Sequence, residues 1–217
     1  MTPMIDDVVA RFSRLATSTI GNALDELGCN GIVHGLHPLV GGRAFCGRAV
    51  TVKQTTAEFG AHSVAEFKVG AMIDAADPGQ VIVVDNGGAL VSTWGGLASF
   101  AAKMKGIAGT IIDGGARDVE EIRECGYAVQ ARHIVPTGGR KRIKVEGIGV
   151  PIELSGVLIN PDEIVKADDT GIARIPAECE LEVLVLAEEY EVNDKHALEL
   201  LKTGQSFSEA MRKFNTI

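Results

Sequence analysis

Basic charge is scarce in this chain: 21 Lys and Arg stand against 29 Asp and Glu, a formal net charge of −8. A general nucleic-acid binder needs clustered cations to neutralise phosphates, so that class is excluded as an expectation. The one dense basic run, Arg140, Lys141, Arg142 and Lys144, is short and lacks interleaved aromatics. It reads as a solvated loop or an edge strand. Cysteines are few as well. Cys29, Cys46, Cys125 and Cys179 are scattered with no CxxC pair, which argues against a zinc site or disulfide framework and suits a reducing cytoplasm. No apolar run approaches the ~20 residues that span a bilayer. The opening MTPMIDDVVARFSRL carries acids early and has no continuous apolar core, unlike a signal peptide. Neither GxGxxG nor GxxxxGK[ST] occurs, so no dinucleotide fingerprint or phosphate loop is present. The expectation is a cytoplasmic protein with no nucleic-acid and no membrane partner.

What is there is an ordinary globular chain. Of its 217 residues 46% are hydrophobic and 23% charged, enough for one packed domain over 1–217. Helix and strand patterns alternate. Residues 4–15 predict an amphipathic helix, followed by a second that starts at Thr17 or Ser18 and stops at Gly28. His34 to Gly47 is loop-like. RAVTVK at 48–53 alternates and is β-branched, and 63–77 predicts a helix. QVIVVD at 80–85 and GTIID at 109–113 are nearly continuous apolar runs, the pattern of strands covered on both faces. Helices are predicted at 97–105 and at 119–125, the latter closed by Gly126. Short strands fill 127–175. A long helix covers 177–202, and a last one at 206–214 starts from Ser206 or Ser208. The order is that of an α/β protein with a parallel sheet layered by helices.

Ligand sites in such sheets gather beyond the carboxyl ends of strands. Two of these ends are glycine-rich: Asp85-Asn86-Gly87-Gly88 and Asp113-Gly114-Gly115-Ala116-Arg117-Asp118. Between them Trp94-Gly95-Gly96-Leu97-Ala98 opens a helix, where unshielded backbone N–H groups favour an anion. Arg117 can pair with a carboxylate in bidentate fashion. Asp118 is a hard oxygen ligand suited to Mg²⁺ or Mn²⁺.

The stretch from about Gly42 to Pro176 resembles the RraA-like family. That group includes class II 4-hydroxy-4-methyl-2-oxoglutarate aldolases and regulators of ribonuclease E activity. The matching segments are GRAVTV at 47–52, PGQVIVVD at 78–85, WGGLAS at 94–99, GIAGTIIDGGARDVEEI at 106–122 and ADDTGIARIP at 167–176. The resemblance implies a single layered α/β domain of the swivelling β/β/α type, assembled into homotrimers or homohexamers with the site between subunits. It implies that Arg117 binds a small 2-oxo acid and that Asp118 anchors a divalent metal, Mg²⁺ or Mn²⁺, largely through waters. It assigns the substrate carboxylate to the backbone amides of Gly95, Gly96, Leu97 and Ala98. The implied activity is carbon–carbon cleavage through a pyruvate enolate, as an aldolase or an oxaloacetate decarboxylase. A non-catalytic regulator of an RNA-processing enzyme is the alternative.

One position departs from the family pattern. An acid is expected with twenty residues between it and the Arg-Asp pair, and here that position is Gly96. Retro-aldol cleavage needs a base for the 4-hydroxyl proton, whereas decarboxylation does not. The expectation is therefore that aldol cleavage suffers more, unless Asp85 or a neighbouring subunit's glutamate substitutes. A Schiff-base route through Lys53, Lys68 or Lys103 has no supporting context for a lowered lysine pKa. His62 begins a helix pattern near the Thr55-Thr56 loop and reads first as structural. Cys125 and Tyr127 read as packing behind the GGARD turn.

Overall fold

In the computed structural model, which describes residues 7–212, helices α1 (Asp7–Phe12) and α2 (Thr17–Glu26) lead into the short strands β1 (Ile32–Val33) and β2 (His37–Pro38). Strand β3 (Phe45–Thr56), helix α3 (Val69–Asp74), and strands β4 (Val81–Asp85) and β5 (Ser92–Trp94) follow. Helix α4 (Gly96–Lys105), strand β6 (Gly109–Ala116), helix α5 (Val119–Cys125) and strand β7 (Val129–Ile134) complete the strand–helix half. Then come β8 (Ile143–Ile148), β9 (Ile152–Leu154), β10 (Val157–Ile159), β11 (Ile164–Ala167) and β12 (Ile172–Ile175). Helices α6 (Glu180–Lys202) and α7 (Phe207–Arg212) end the described chain.

Strands β3, β4, β6 and β7 run parallel at the centre of a ten-stranded sheet, and β11, β12 and β1 extend it antiparallel beyond β3. The β9–β10 hairpin forms a small separate sheet. The continuous apolar runs of β4 and β6 are explained by their alternation. Ile82, Val84 and Ile112 face one core with Ala102, Val119 and Ile122 of α4 and α5. Val81, Val83 and Ile111 face another with Ile152, Leu154, Val157 and Ile159 of the hairpin. Helices lie on one face and β-structure on the other, the β/β/α layering expected. A third core joins α1, α2 and α6 to Ile164, Ala173 and Ile175. Among the described residues no helix is long and apolar enough to cross a membrane.

Several elements differ from expectation. The helix at 4–15 is described from Asp7 and ends at Phe12; residues 4–6 lie outside the described chain. The helix at 63–77 is two pieces: a 3₁₀ turn at Val64–Glu66 with a Ser63–Glu66 capping box, then α3. Lys68 between them is left-handed (φ 43), which redirects the backbone. The loop-like stretch before β3 holds β2, and β5 is a further short strand. Ser206 caps the last helix through reciprocal bonds with Glu209; residues 213 and 214 lie outside the described chain.

Thr17 is the first residue of α2, and the cap comes from Asp168, 151 residues away. Asp168 Oδ2 accepts from Thr17 N (2.8 Å) and Oδ1 from Thr17 Oγ1 (2.6 Å), Thr170 N and Gly171 N. Burial opposes its ionisation, but these hydrogen bonds outweigh burial and hold the carboxyl below its ordinary value. A depressed carboxyl contributes stability that is complete above its unfolded value near 3.9 and lost as pH falls through the folded one. Asp168→Ala is expected to cost about 1–2 kcal/mol in urea denaturation at pH 7. The deficit should shrink as the pH is lowered below about 4; a deficit unchanged by pH would place the loss elsewhere.

Candidate active site

The site forms where β5 and β6 end side by side, with Trp94 paired to Ala116. Trp94 is buried, donates its indole N–H to Ser99 Oγ (2.9 Å) and stacks on Tyr127 at 6.5 Å between centroids. Tyr127 in turn shares a hydrogen bond with Thr110 (2.9 Å), and burial raises its phenol pKa. These contacts fix the junction at which β5 turns into α4. Immediately after β6, Arg117 N donates to Trp94 O (3.0 Å), which ties the two turns together.

Asp118 is left-handed (φ 55) and caps α5 through its backbone carbonyl. This conformation turns its carboxylate toward the start of α4. Asp118 Oδ2 lies 3.4 Å from Gly96 N and 3.5 Å from Arg117 Nε. A Cβ on Gly95 would stand 2.5 Å from the same oxygen, so close approach requires glycine there. Gly95, Leu97, Ala98, Arg117 and Asp118 line one cavity of about 620 Å³. Gly96 is buried beneath it, its N–H aimed at Asp118, so the free first-turn donors of α4 are those of Leu97 and Ala98.

A carboxylate from another element lies beside the position of the missing acid. Glu121 stands one helical turn after Asp118, and its carboxylate occupies the space a side chain at Gly96 would fill. A Cβ on Gly96 would meet Glu121 Oε2 and lie 2.7 Å from Glu121 Cβ. A carboxylate of α5 thus stands against the first turn of α4, next to the residues that line the cavity. The signal was present in the sequence as Arg-Asp-Val-Glu-Glu, because residues three apart share a helix face.

Asp85, the other candidate substitute, is committed elsewhere. It is buried and accepts from Lys53 Nζ (2.6 Å), Gly87 N (3.0 Å) and Glu153 N (3.2 Å). Lys53 is thereby ion-paired, Lys103 donates to Cys125 O (2.5 Å), and neither they, Lys68 nor His62 line the cavity. The basic run divides: Lys144 lies on β8 as a strand residue, whereas Arg140 and Arg142 line the cavity, which the solvated-loop reading missed. With Arg117 they give three guanidinium groups to one lining carboxylate in a chain of charge −8. That balance selects anions.

Among the described residues no group of three or more His, Cys, Asp or Glu could cage a metal. The donors here are the carboxylate of Asp118, 37% exposed, and nearby Glu121. Such a set fits Mg²⁺, which keeps several waters and takes one or two carboxylates.

Comparison with known proteins bears on the family and the fold. Residues 17–174 match the RraA-like family, described as Aldolase/RraA. The chain belongs to the RraA-like family. A Halalkalibacterium halodurans protein named "Putative 4-hydroxy-4-methyl-2-oxoglutarate aldolase" is 30% identical over 190 residues, 87% of this chain and 86% of that one. Protein DlpA of Legionella pneumophila is 34% identical over 164 residues, covering 74% of this chain. The matched region spans only 26% of DlpA. Among solved structures, Streptomyces coelicolor RraAS2, described as an unusual member of the RNase ES inhibitor RraA family, superposes with a TM-score of 0.78 at 26% identity. That match covers 88% of this chain and 94% of RraAS2. An uncharacterised Pseudomonas syringae protein reaches 0.86 at 27% identity, covering 97% and 100%.

Glu121→Gln keeps the shape of the side chain and removes its basicity. It is expected to lower pyruvate release from 4-hydroxy-4-methyl-2-oxoglutarate by ~10²–10⁴-fold, the usual worth of a general base. Release from oxaloacetate should change less than about tenfold. Equal losses on both substrates would give Glu121 a structural role instead.

Proposed function

We propose that this RraA-like protein is a divalent-metal-dependent carbon–carbon lyase of small 2-oxo acids, an aldolase, an oxaloacetate decarboxylase or both. The observation that carries the reading is the meeting of Arg117, Asp118 and the first turn of α4 on one cationic cavity. Arg117 and the N–H groups of Leu97 and Ala98 hold the substrate carboxylate. Asp118 holds Mg²⁺ or Mn²⁺ through waters, and the ion when bound supplies a Lewis acid for the 2-oxo group. Glu121 takes the proton of the 4-hydroxyl group as the C3–C4 bond breaks, and the bond's electrons pass to the pyruvoyl fragment. Decarboxylation of oxaloacetate releases CO₂ from the same bond and needs no such base.

The proposal extends to assembly as a homotrimer or homohexamer. Leu97, Phe100 and Met104 form an exposed apolar stripe along α4, beside the site, and a second copy of the chain is the partner assigned to it. A cytoplasmic setting completes the reading, one in which Cys29, Cys46, Cys125 and Cys179 stay free thiols.

The structural relatives described as inhibitors of RNA processing favour a second reading, a regulator acting by surface contact. The deciding experiment is pyruvate release from oxaloacetate with Mg²⁺ or Mn²⁺, with and without excess chelator, on wild type and Asp118→Ala. Metal-dependent turnover that falls at least about 100-fold in the variant is expected. Background release from both proteins would overturn the lyase reading in favour of the regulator.

A further inference from the structure

We propose that Cys29 and Cys179 are a redox-responsive pair, which a peroxide oxidises to a disulfide tying the end of α2 to the start of α6. The pair belongs to the third core, which shares no residue with the cavity, so the inference is independent of the lyase reading. Cys29 follows the left-handed Gly28 (φ 66) at the exit of α2, and α6 starts immediately after Cys179. Their sulfurs are 2.7 Å apart, so nothing can stand between them. Among the described residues no metal-binding group of three His, Cys, Asp or Glu includes them.

Both positions are held by the main chain, and oxidation therefore meets two prepositioned thiols. Cys29 N donates to Leu24 O (2.8 Å) and Cys179 N to Pro176 O (3.2 Å). The two segments also share an anchor in β12. Arg174 of that strand donates through its side chain to Asn30 O (3.3 Å) and through its N–H to Gly31 O (2.8 Å), next to Cys29. From Arg174 the chain runs through Ile175 and Pro176 into the turn that carries Cys179. Exposure separates the roles of the two sulfurs. Cys29 is half-buried and Cys179 is buried, so an oxidant reaches Cys29 first. Burial, then the adjacent Cys29 and the charges of Glu178 and Glu182, push the Cys179 thiol up, and it keeps its proton at neutral pH.

The step balances with a peroxide as the oxidant. The Cys29 thiolate attacks one oxygen of hydrogen peroxide, and an S–O bond forms as the O–O bond breaks. The hydroxide released leaves as water with the proton that the thiol gave up. The Cys179 sulfur then attacks the Cys29 sulfur, S–S forms as S–O breaks, and hydroxide departs with the Cys179 proton as a second water. Two thiols lose two electrons and the peroxide gains them. In the reducing cytoplasm proposed above the pair rests as thiols and returns to them by exchange with small thiols. The bond closes a loop that encloses every strand of the described chain, which restricts the unfolded state strongly.

The test takes the full chain, reduced and freed of reductant, through a titration with hydrogen peroxide. Thiols counted after denaturation should fall from four to two, with single-chain mass retained on a non-reducing gel. Peptide mass mapping should join the Cys29 and Cys179 peptides, and dithiothreitol should restore all four thiols. The oxidised protein is expected to melt about 5–15 °C above the reduced one. Cys29→Ser should match the reduced protein in Tm and lose that rise, whereas Cys125→Ser should retain it. Cys179→Ala should stop at a Cys29 sulfenic acid that dimedone captures and that wild type does not accumulate. Thiols that survive the titration would make the pair a packing contact and overturn the inference. So would a sulfenic acid accumulating at Cys29 in wild type, a cross-link between chains, or a disulfide that leaves Tm unchanged or lower.

Discussion

Two carboxylates side by side in the middle of a parallel sheet set the terms for everything above them. Asp85 ends β4 and Asp113 lies beside it on β6, in direct register and almost fully buried. Neighbouring strands are about 4.8 Å apart, so the pair repels unless each charge is met. Lys53 meets one and Arg132 the other (2.5 Å), and the remaining lone pairs accept Glu153 N and Ser155 N at the β9–β10 hairpin. Breaking one side of such a set leaves an uncompensated buried charge, which is far worse than never having had it. The hairpin, β7 and the bulged stretch of β3 are thereby tied to the last residue of β4 and to the middle of β6. Three residues further on β6 ends, and Arg117 and Asp118 leave from this braced strand.

The local geometry at that turn brings a carboxylate of α5 to the start of α4. Asp118 in the left-handed region starts α5 at an angle that brings its first turn against the first turn of α4. Two helix N-termini so close concentrate partial positive charge, and carboxylates are the groups that relieve it. Only one side chain fits between them. Here it springs from α5 as Glu121, and the buried Gly96 leaves room for it. A glycine and a glutamate 25 positions further on are one structural unit, although neither reads as unusual alone.

That pairing also shows what was legible in the sequence and what was not. β4, β6, α4 and α5 were readable because each is specified by its own residues: unbroken apolar runs, Gly95 opening α4, Gly126 closing α5. Arg117 and Asp118 stood out at a glycine-rich strand end, and it was the family resemblance that gave them their expected roles. Elements held by distant partners were not. β1 and β2 are two residues each and exist through pairing with β12 and β7. The cap of α2 lies in the β11–β12 turn. Cys29 and Cys179, scattered along the chain, meet with sulfurs 2.7 Å apart. Arg140 and Arg142 looked like surface charge because nothing local says that the loop carrying them folds over a cavity.

The exposure of the site's charges bears on how it can work. Arg117 is 49% exposed in the single chain. A charge in water contributes little, since two unit charges at 4 Å attract by only about 1 kcal/mol there and about 4 kcal/mol at a protein–water boundary. Catalysis that depends on holding a developing negative charge needs the stronger value. On the proposed lyase reading, this end of the sheet would need a cover when substrate is bound. The apolar stripe of Leu97, Phe100 and Met104 lies on the helix that opens the site, so an assembly sealing the stripe would also shield Arg117. Association and electrostatic strength are then coupled through α4. On that reading the same helix would donate to the substrate carboxylate at its first turn and offer its exposed apolar stripe as the covering surface.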